Sequence, residues 1–235
     1  MFKMPFFFWD PTMILLIPAL ILSLYAQAKV QGTFSRYSQV ASYRGLTGAA
    51  VARRILDEHG LGDVRVEMAQ GFLSDHYDPR AKVLRLSPEV YHSNSLAALG
   101  VAAHETGHAI QHGRGYFPLE IRSALVPVVT LGSNLAIPLL IIGLLLGSPS
   151  LARFGVYAFT LVVLFTLITL PVEFNASNRA ISILERHGYL IGNELAAARK
   201  VLNAAALTYV AAAVTAVLNL IRLLLLTGLM GNRDE

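Results

Sequence analysis

The chain contains no cysteine, and only 14% of its 235 residues are Asp, Glu, Lys or Arg. The absence of cysteine excludes disulfide bonds and thiolate ligands, so a metal site here has to use histidine and carboxylate side chains. Soluble domains usually carry about 25% charged residues. This composition, with 54% hydrophobic residues, therefore indicates an integral membrane protein. The net charge of +4 needs no nucleic acid to explain it, because Lys and Arg at the cytoplasmic face of a membrane give such an excess.

Four apolar runs are candidates for spans of the lipid bilayer: residues 13–26, 124–146, 154–172 and 201–226. The first run is short for a span unless the aromatic cluster Phe6-Phe7-Phe8-Trp9, which suits a membrane interface, is counted with it. The alternative is a secretory signal peptide that ends at Ala26-Gln27-Ala28. Asp10 and Pro11 ahead of the run fit that alternative poorly, and we expect a retained anchor.

The distribution of positive charge predicts the orientation of the chain. With four spans, residues 29–122 and 173–200 lie on the same side of the membrane. Both regions are rich in Lys and Arg, whereas the other side has only Lys3, Arg153 and Arg233 near the membrane. The positive-inside bias predicts that the polar region faces the cytoplasm and that both termini lie outside.

The motif that organises the polar region is His104-Glu105-Thr106-Gly107-His108, which reads H-E-x-x-H. On a helix, two histidines four residues apart project from one face and can bind one Zn²⁺. Glu105, beside the first histidine, is then placed to act as general base on a metal-bound water. The competing interpretation is a surface helix that happens to carry two histidines. The motif predicts a zinc hydrolase, and a peptidase in particular.

Catalytic zinc uses three protein ligands, and the sequence offers two candidates for the third. His112 lies one turn further along the same helix, but at about 12 Å from His104 along the axis it is too far for one tetrahedral ion. Metzincin spacing is absent, because Gln111 and Arg114 occupy the positions of its glycine and last histidine. Glu173 directly follows the third apolar run and is predicted to reach the same face of the membrane. The alternative for Glu173 is a carboxylate that stabilises a helix start.

Four stretches resemble the YugP-like family of membrane zinc metallopeptidases. They are Gly45-Leu46-Thr47-Gly48 with the helix of residues 49–59, Asp75-His76-Tyr77-Asp78-Pro79-Arg80, residues 104–112 and residues 171–180. The resemblance implies a gluzincin-like site with His104, His108 and Glu173 as ligands of one Zn²⁺ per chain, and Glu105 as catalyst. More distantly, the chain is similar to HtpX-type membrane peptidases, whose third-ligand helix carries Glu-x-x-x-Asp. Here Ser177 occupies the Asp position, so another group, with Asn178 and Asp75 as candidates, has to orient the zinc-bound histidine.

These patterns predict a mostly α integral membrane protein with about four transmembrane helices and a small α+β zincin-like domain that carries the H-E-x-x-H helix. Alternating residues at 64–67 and 82–86 predict short strands, Thr47 is expected to cap one helix, and Asn94 or Ser95 to begin the next. The predicted segments are an anchor (1–28), the metallopeptidase domain (29–123), two transmembrane helices (124–172), the third-ligand helix and loop (173–200), and a C-terminal helix and tail (201–235).

The expected reaction is hydrolysis of peptide bonds in membrane or membrane-proximal proteins. Glu105 would take a proton from the attacking water and return it to the leaving amine. Arg179, His187 and Tyr209 are candidates to stabilise the oxyanion, judged by residue type alone. The hairpin near residues 75–86 could bind an extended peptide as an added strand.

Two other functions compete with a peptidase. A non-catalytic membrane scaffold or adaptor stabilised by zinc would carry the same motif, and a fourth protein ligand would favour it. A transporter fits poorly, because the interiors of the spans carry almost no ionisable residues. The expected partners are a protein or peptide substrate and the lipid bilayer, without nucleic acid.

Overall fold

The computed structural model describes residues 11–71 and 73–229. After a 3-10 helix at Pro11–Leu16, the helices are α1 (Ile17–Ser38), α2 (Gly48–Glu58), α3 (Pro88–Tyr91), α4 (Leu96–Gly113), α5 (Phe117–Leu145), α6 (Pro149–Arg186) and α7 (Asn193–Leu226). The strands are β1 (Arg65–Met68), β2 (His76–Asp78) and β3 (Val83–Leu86). The aromatic cluster at residues 6–9 lies outside the described residues, as do Lys3, Asp10 and Arg233.

Among the described residues, four helical stretches are long and apolar enough to cross a membrane: Pro11–Ser38, Phe117–Leu145, Pro149–Arg186 and Asn193–Leu226. This confirms the prediction of a mostly α integral membrane protein with four transmembrane helices. The helices are longer than the apolar runs, because good helix formers continue past the end of each run. After Val172, α6 continues through residues such as Ala176, Ala180 and Leu184, and ends just before Gly188, whose φ is +62°.

The described chain divides into two compact units. Of the described residues, the apolar unit comprises 11–25, 122–169 and 209–229, and the polar unit comprises 26–71, 73–121 and 170–208. In the apolar unit, Leu140, Val156 and Leu223 form a buried cluster. There, α5 and α6 come close enough that a Cβ on Gly155 would lie 2.7 Å from the carbonyl oxygen of Ala136 and from the amide nitrogen of Leu140. Small residues therefore set the distance between these two helices, as is common in membranes.

We expect Gly155→Ala to lower the thermal unfolding temperature of the detergent-solubilised protein. The added methyl group meets backbone atoms that cannot rotate away, and overpacking of this kind costs about 1–3 kcal/mol. For a chain of this size that corresponds to a decrease of roughly 3–10 °C. Gly32→Ala in α1 is the matched control, because no heavy atom lies within 4 Å of its added Cβ. Equal unfolding temperatures for the two variants would contradict the close packing.

Helix α4 is the centre of the polar unit. On one side it packs against α2 and the polar ends of α6 and α7 through residues that include Ile55, Leu99 and Leu184. On another side, Ala98 and Ala102 pack against Leu84 of β3. The alanines allow close approach from both sides, and the capping hydroxyl of Ser95 fixes the start of the helix by accepting the amide N–H of Ala98.

The sheet has the order β1-β3-β2, with β3 in the centre. β2 pairs with β3 in antiparallel fashion and β1 pairs with β3 in parallel fashion. Asp78 stabilises the turn between β2 and β3 by accepting the amide N–H groups of Arg80 and Ala81. Thr47 caps α2, as predicted, by accepting the amide N–H of Ala50.

Candidate metal centre

The H-E-x-x-H residues lie in the second half of α4, where His104 and His108 are one turn apart. Their ring centroids are 4.8 Å apart and the rings are nearly perpendicular, at 86°. The two side chains keep 13% and 11% of their surface exposed. Glu105, between them, is a buried residue of the same helix. The helix therefore presents two imidazoles at a nearly dry site that water still reaches.

Helix α6 passes unusually close to α4 at this point. A Cβ on Gly107 would lie 2.8 Å from the carbonyl oxygen of Ala176 and 3.2 Å from its Cα. A residue with a side chain at position 107 would therefore hold the two helices apart. The glycine within the motif brings the backbone of α6 next to the turn that carries the histidines.

This approach brings Glu173 to the histidines. Glu173 lies in the interior of α6, not at a helix start, and is only 2% exposed. Its Oε2 is 3.3 Å from His104 Nε2 and 3.5 Å from His108 Nε2. The three potential ligand atoms lie within 4.8 Å of one another, and no other group of three metal-ligating side chains comes together in this way in the described chain.

The donor set fits zinc. Two ligand atoms bound to one tetrahedral Zn²⁺ at about 2.0–2.1 Å lie roughly 3.3–3.4 Å apart. The separations of 3.3 and 3.5 Å match that requirement. Both Nδ1 atoms have hydrogen-bonding partners elsewhere, which leaves each Nε2 turned toward the Glu173 carboxylate. Two histidines and one glutamate, with one tetrahedral position left over, form the ligand set of a catalytic zinc site.

Comparison with known proteins decides the family. Residues 12–228 match the family described as "Putative neutral zinc metallopeptidase". The chain belongs to this zinc metallopeptidase family. It is also similar to a curated protein of Bacillus subtilis (strain 168), the "Putative membrane protease YugP", with 49% identity over 221 residues, or 94% of this chain and 97% of the relative. No solved structure matches the chain. The resemblance to the YugP-like family is thus confirmed, and the findings support a metalloprotease of the membrane.

In this zinc metallopeptidase, the hydroxyl of Ser177 on α6 is the group next to Nδ1 of His104. Ser177 Oγ lies 3.1 Å from His104 Nδ1. The sequence analysis named Asn178 and Asp75 as candidates to orient the histidine, and the structure brings neither of them to His104. Asn178 is exposed on α6, and Asp75 binds Ser87. The serine hydroxyl reaches His104 because α4 and α6 approach closely at Gly107.

Sequence analysis did not predict a role near His108 for Gln111 or for Asn175. The His108 Nδ1–H donates to Gln111 Oε1 at 3.0 Å. The Gln111 amide in turn donates to the carbonyl oxygen of Val172 at 2.8 Å and to Asn175 Oδ1 at 3.0 Å. Gln111 is fully buried. Its position three residues after a ligand, on the same helix face, is the signal that could have indicated this role.

Asp75 lies before β2 and closes the open end of the hairpin. Its carboxylate accepts the backbone N–H of Ser87 at 2.8 Å and the Ser87 hydroxyl at 3.0–3.1 Å. Burial raises the pKa of Asp75, and the negative charge of Glu105 adds to the increase, while the Ser87 hydrogen bonds oppose it. Asp75 therefore lies within electrostatic range of the proposed catalytic glutamate, but its hydrogen bonds join it to Ser87.

The other candidates have contacts of their own. Arg179 Nε donates to Asn175 Oδ1 at 2.6 Å. His187 pairs through Nδ1 with Glu58 Oε2 at 3.1 Å and stacks on Tyr189. Tyr209 lies on α7 in the apolar unit. His112 Nδ1 is 2.8 Å from the Tyr77 hydroxyl and is absent from the ligand cluster.

Proposed function

We propose that this protein is a membrane zinc endopeptidase of the gluzincin type, with His104, His108 and Glu173 as the ligands of one Zn²⁺ and Glu105 as general base and acid. The observation that carries the proposal is the separation of 3.3 and 3.5 Å between Glu173 Oε2 and the two Nε2 atoms. Membership of a zinc metallopeptidase family supports it. Residues 29–123, together with 173–200, would then form a zincin-like domain.

In the proposed hydrolysis, different residues of the chain have different roles. Zinc, when bound, supplies a Lewis acid and a water of lowered pKa. Glu105 follows the first ligand directly, and its carboxylate accepts the proton of the attacking water and then donates it to the leaving amine. Ser177 and Gln111 hold the two imidazoles in place.

We infer the substrate class from where the site lies in the chain. Two of the ligands are on α4, which α5 follows within a few residues, and the third is on α6, which is itself a candidate span. Such a site would act on membrane proteins and on segments close to the bilayer, with the polar unit facing the cytoplasm. Strand β2 lies at the edge of the sheet, where an extended peptide could pair with it.

The ligand number favours an enzyme over a zinc-stabilised scaffold. A structural zinc site is closed by four protein ligands, whereas a catalytic site keeps one position for water or substrate. The cluster in the described chain consists of three side chains. Partial exposure of both histidines also leaves access to that fourth position.

Metal analysis tests the ligand set. We expect detergent-purified wild type to contain about one zinc per chain, and both His104→Ala and Glu173→Ala to lose it, because two ligands alone hold zinc weakly. His76→Ala is the matched control, since His76 is exposed on β2. Zinc retained in Glu173→Ala would place the third ligand elsewhere, and a wild type without zinc would favour the scaffold.

A further inference from the structure

A chain of hydrogen bonds leads from His108 to Arg179. The His108 Nδ1–H donates to Gln111 Oε1 at 3.0 Å, Gln111 Nε2 donates to Asn175 Oδ1 at 3.0 Å, and Arg179 Nε donates to the same Asn175 oxygen at 2.6 Å. Gln111 also donates to the carbonyl oxygen of Val172 at 2.8 Å. All of these residues belong to the polar unit. The chain joins α4 and α6 directly beside the ligand cluster.

The groups in this chain of hydrogen bonds fix which one donates and which one accepts in each bond. A guanidinium can only donate, so Asn175 must present its oxygen to Arg179. The Val172 carbonyl and that Asn175 oxygen can only accept, so Gln111 must direct its NH₂ group toward them. The Gln111 oxygen then faces His108, which has to carry its proton on Nδ1. Nε2 is left as a lone-pair donor directed at Glu173.

His104 lacks such a constraint. Its Nδ1 faces the Ser177 hydroxyl, which can donate or accept a hydrogen bond. Both tautomers of His104 are therefore compatible with its partner, and only His108 is prepared in the form that binds metal. The two histidines of the motif thus have unequal roles in forming the site.

We propose that Arg179 is a positioning residue that acts through Asn175 and Gln111 to hold the His108 imidazole in its metal-binding tautomer and orientation. The inference rests on the proposed zinc site and deepens it. Without Arg179, the Asn175 amide can rotate, and Gln111 keeps only the Val172 carbonyl as a fixed acceptor. The Gln111 side chain is then held less firmly, and so is the His108 imidazole that donates to it. This role differs from stabilising an oxyanion, which residue type alone had suggested for Arg179.

A double-mutant cycle on zinc affinity tests the proposal. The full chain in detergent is titrated with zinc against a chelator, as wild type, Arg179→Met, Asn175→Ala and the double variant. Each single substitution is expected to weaken zinc binding by about 10–100-fold, the usual effect of losing a group that orients a ligand. The double variant should bind no more weakly than the weaker single, because both act through one path. Asn178→Ala, an exposed neighbour on α6, should bind like wild type.

Two results of the cycle would overturn the positioning role. One is a loss of zinc affinity in the double variant equal to the product of the two single losses, and the other is wild-type zinc affinity in Arg179→Met. The visible absorption of the Co²⁺-substituted protein should shift alike in both single variants, and unshifted spectra would contradict the proposal. If Arg179→Met does not fold, Arg179→Leu takes its place in the cycle, because leucine likewise has no donor for Asn175 Oδ1. A wild type that binds no zinc would overturn the proposed function as well, whereas a wild type that binds with unaffected variants would overturn this inference alone.

Discussion

Glu105→Gln should strongly reduce cleavage and leave zinc bound. Glutamine has nearly the same shape as glutamate but cannot accept the proton of the attacking water, and general acid–base catalysis contributes about 10²–10⁴-fold to rates. Glu105 is outside the ligand cluster, so zinc content should equal that of the wild type. We expect a decrease of that size in kcat/KM against a pool of quenched fluorescent peptides, with metal measured on the same samples.

The control for this variant is Glu89→Gln. Glu89 is an exposed carboxylate in the first turn of α3, and its substitution should change neither cleavage nor zinc. Cleavage retained by zinc-loaded Glu105→Gln would show that another group takes the proton. Loss of zinc together with cleavage would instead make Glu105 a structural residue. Each outcome distinguishes a failure of catalysis from a failure of binding.

Gly107→Ala should weaken zinc binding although it replaces none of the three proposed ligand residues. The added Cβ lies 2.8 Å from the carbonyl oxygen of Ala176 and 3.2 Å from its Cα. These are backbone atoms, so α6 has to move away, and Glu173 is one turn from Ala176 on the same helix. The carboxylate then moves from its place 3.3–3.5 Å from the two Nε2 atoms. We expect zinc affinity, measured by chelator competition, to fall by about 10–100-fold or more.

Gly100→Ala provides a matched comparison, because Gly100 lies on the same helix as Gly107. An added Cβ there would be 3.5 Å from the Cβ of Ala198, an ordinary contact. Since alanine favours a helix interior over glycine by up to about 1 kcal/mol, this variant should bind zinc normally and unfold at the same or a higher temperature. Equal zinc affinity in the two variants would show that helix distance at Gly107 does not set the geometry of the site.

Features that depend on a few neighbouring residues could be predicted from the sequence. The pairing of His104 with His108 needs only one turn of helix, and the caps at Thr47 and Ser95 need only a hydroxyl followed by a helical run. The four spans follow from composition over about 20 residues. In each of these cases the physics is local, so the prediction agrees with the structure.

Features that depend on the register between helices could not be predicted in this way. The sequence predicted that Glu173 lies on the same side of the membrane as the histidines. Whether its carboxylate reaches the histidines depends on the close approach of α6 to α4 at Gly107. The contact between Ser177 and His104 requires the same approach. The links from Gln111 to Asn175 depend on the rotation of α6 about its axis. Apolar periodicity does not specify that rotation to within one residue.

The order of the ligands along the chain has a consequence for biosynthesis. A ribosome completes His104 and His108 with α4, and must then make all of α5 and more than half of α6 before it adds Glu173. The nascent protein therefore has only two of the three proposed ligands until both of those apolar segments have been synthesised. Chains that terminate before Glu173 would lack the third of the proposed ligands. The proposed proteolytic activity would therefore be restricted to molecules whose synthesis has continued past α5 and the apolar part of α6.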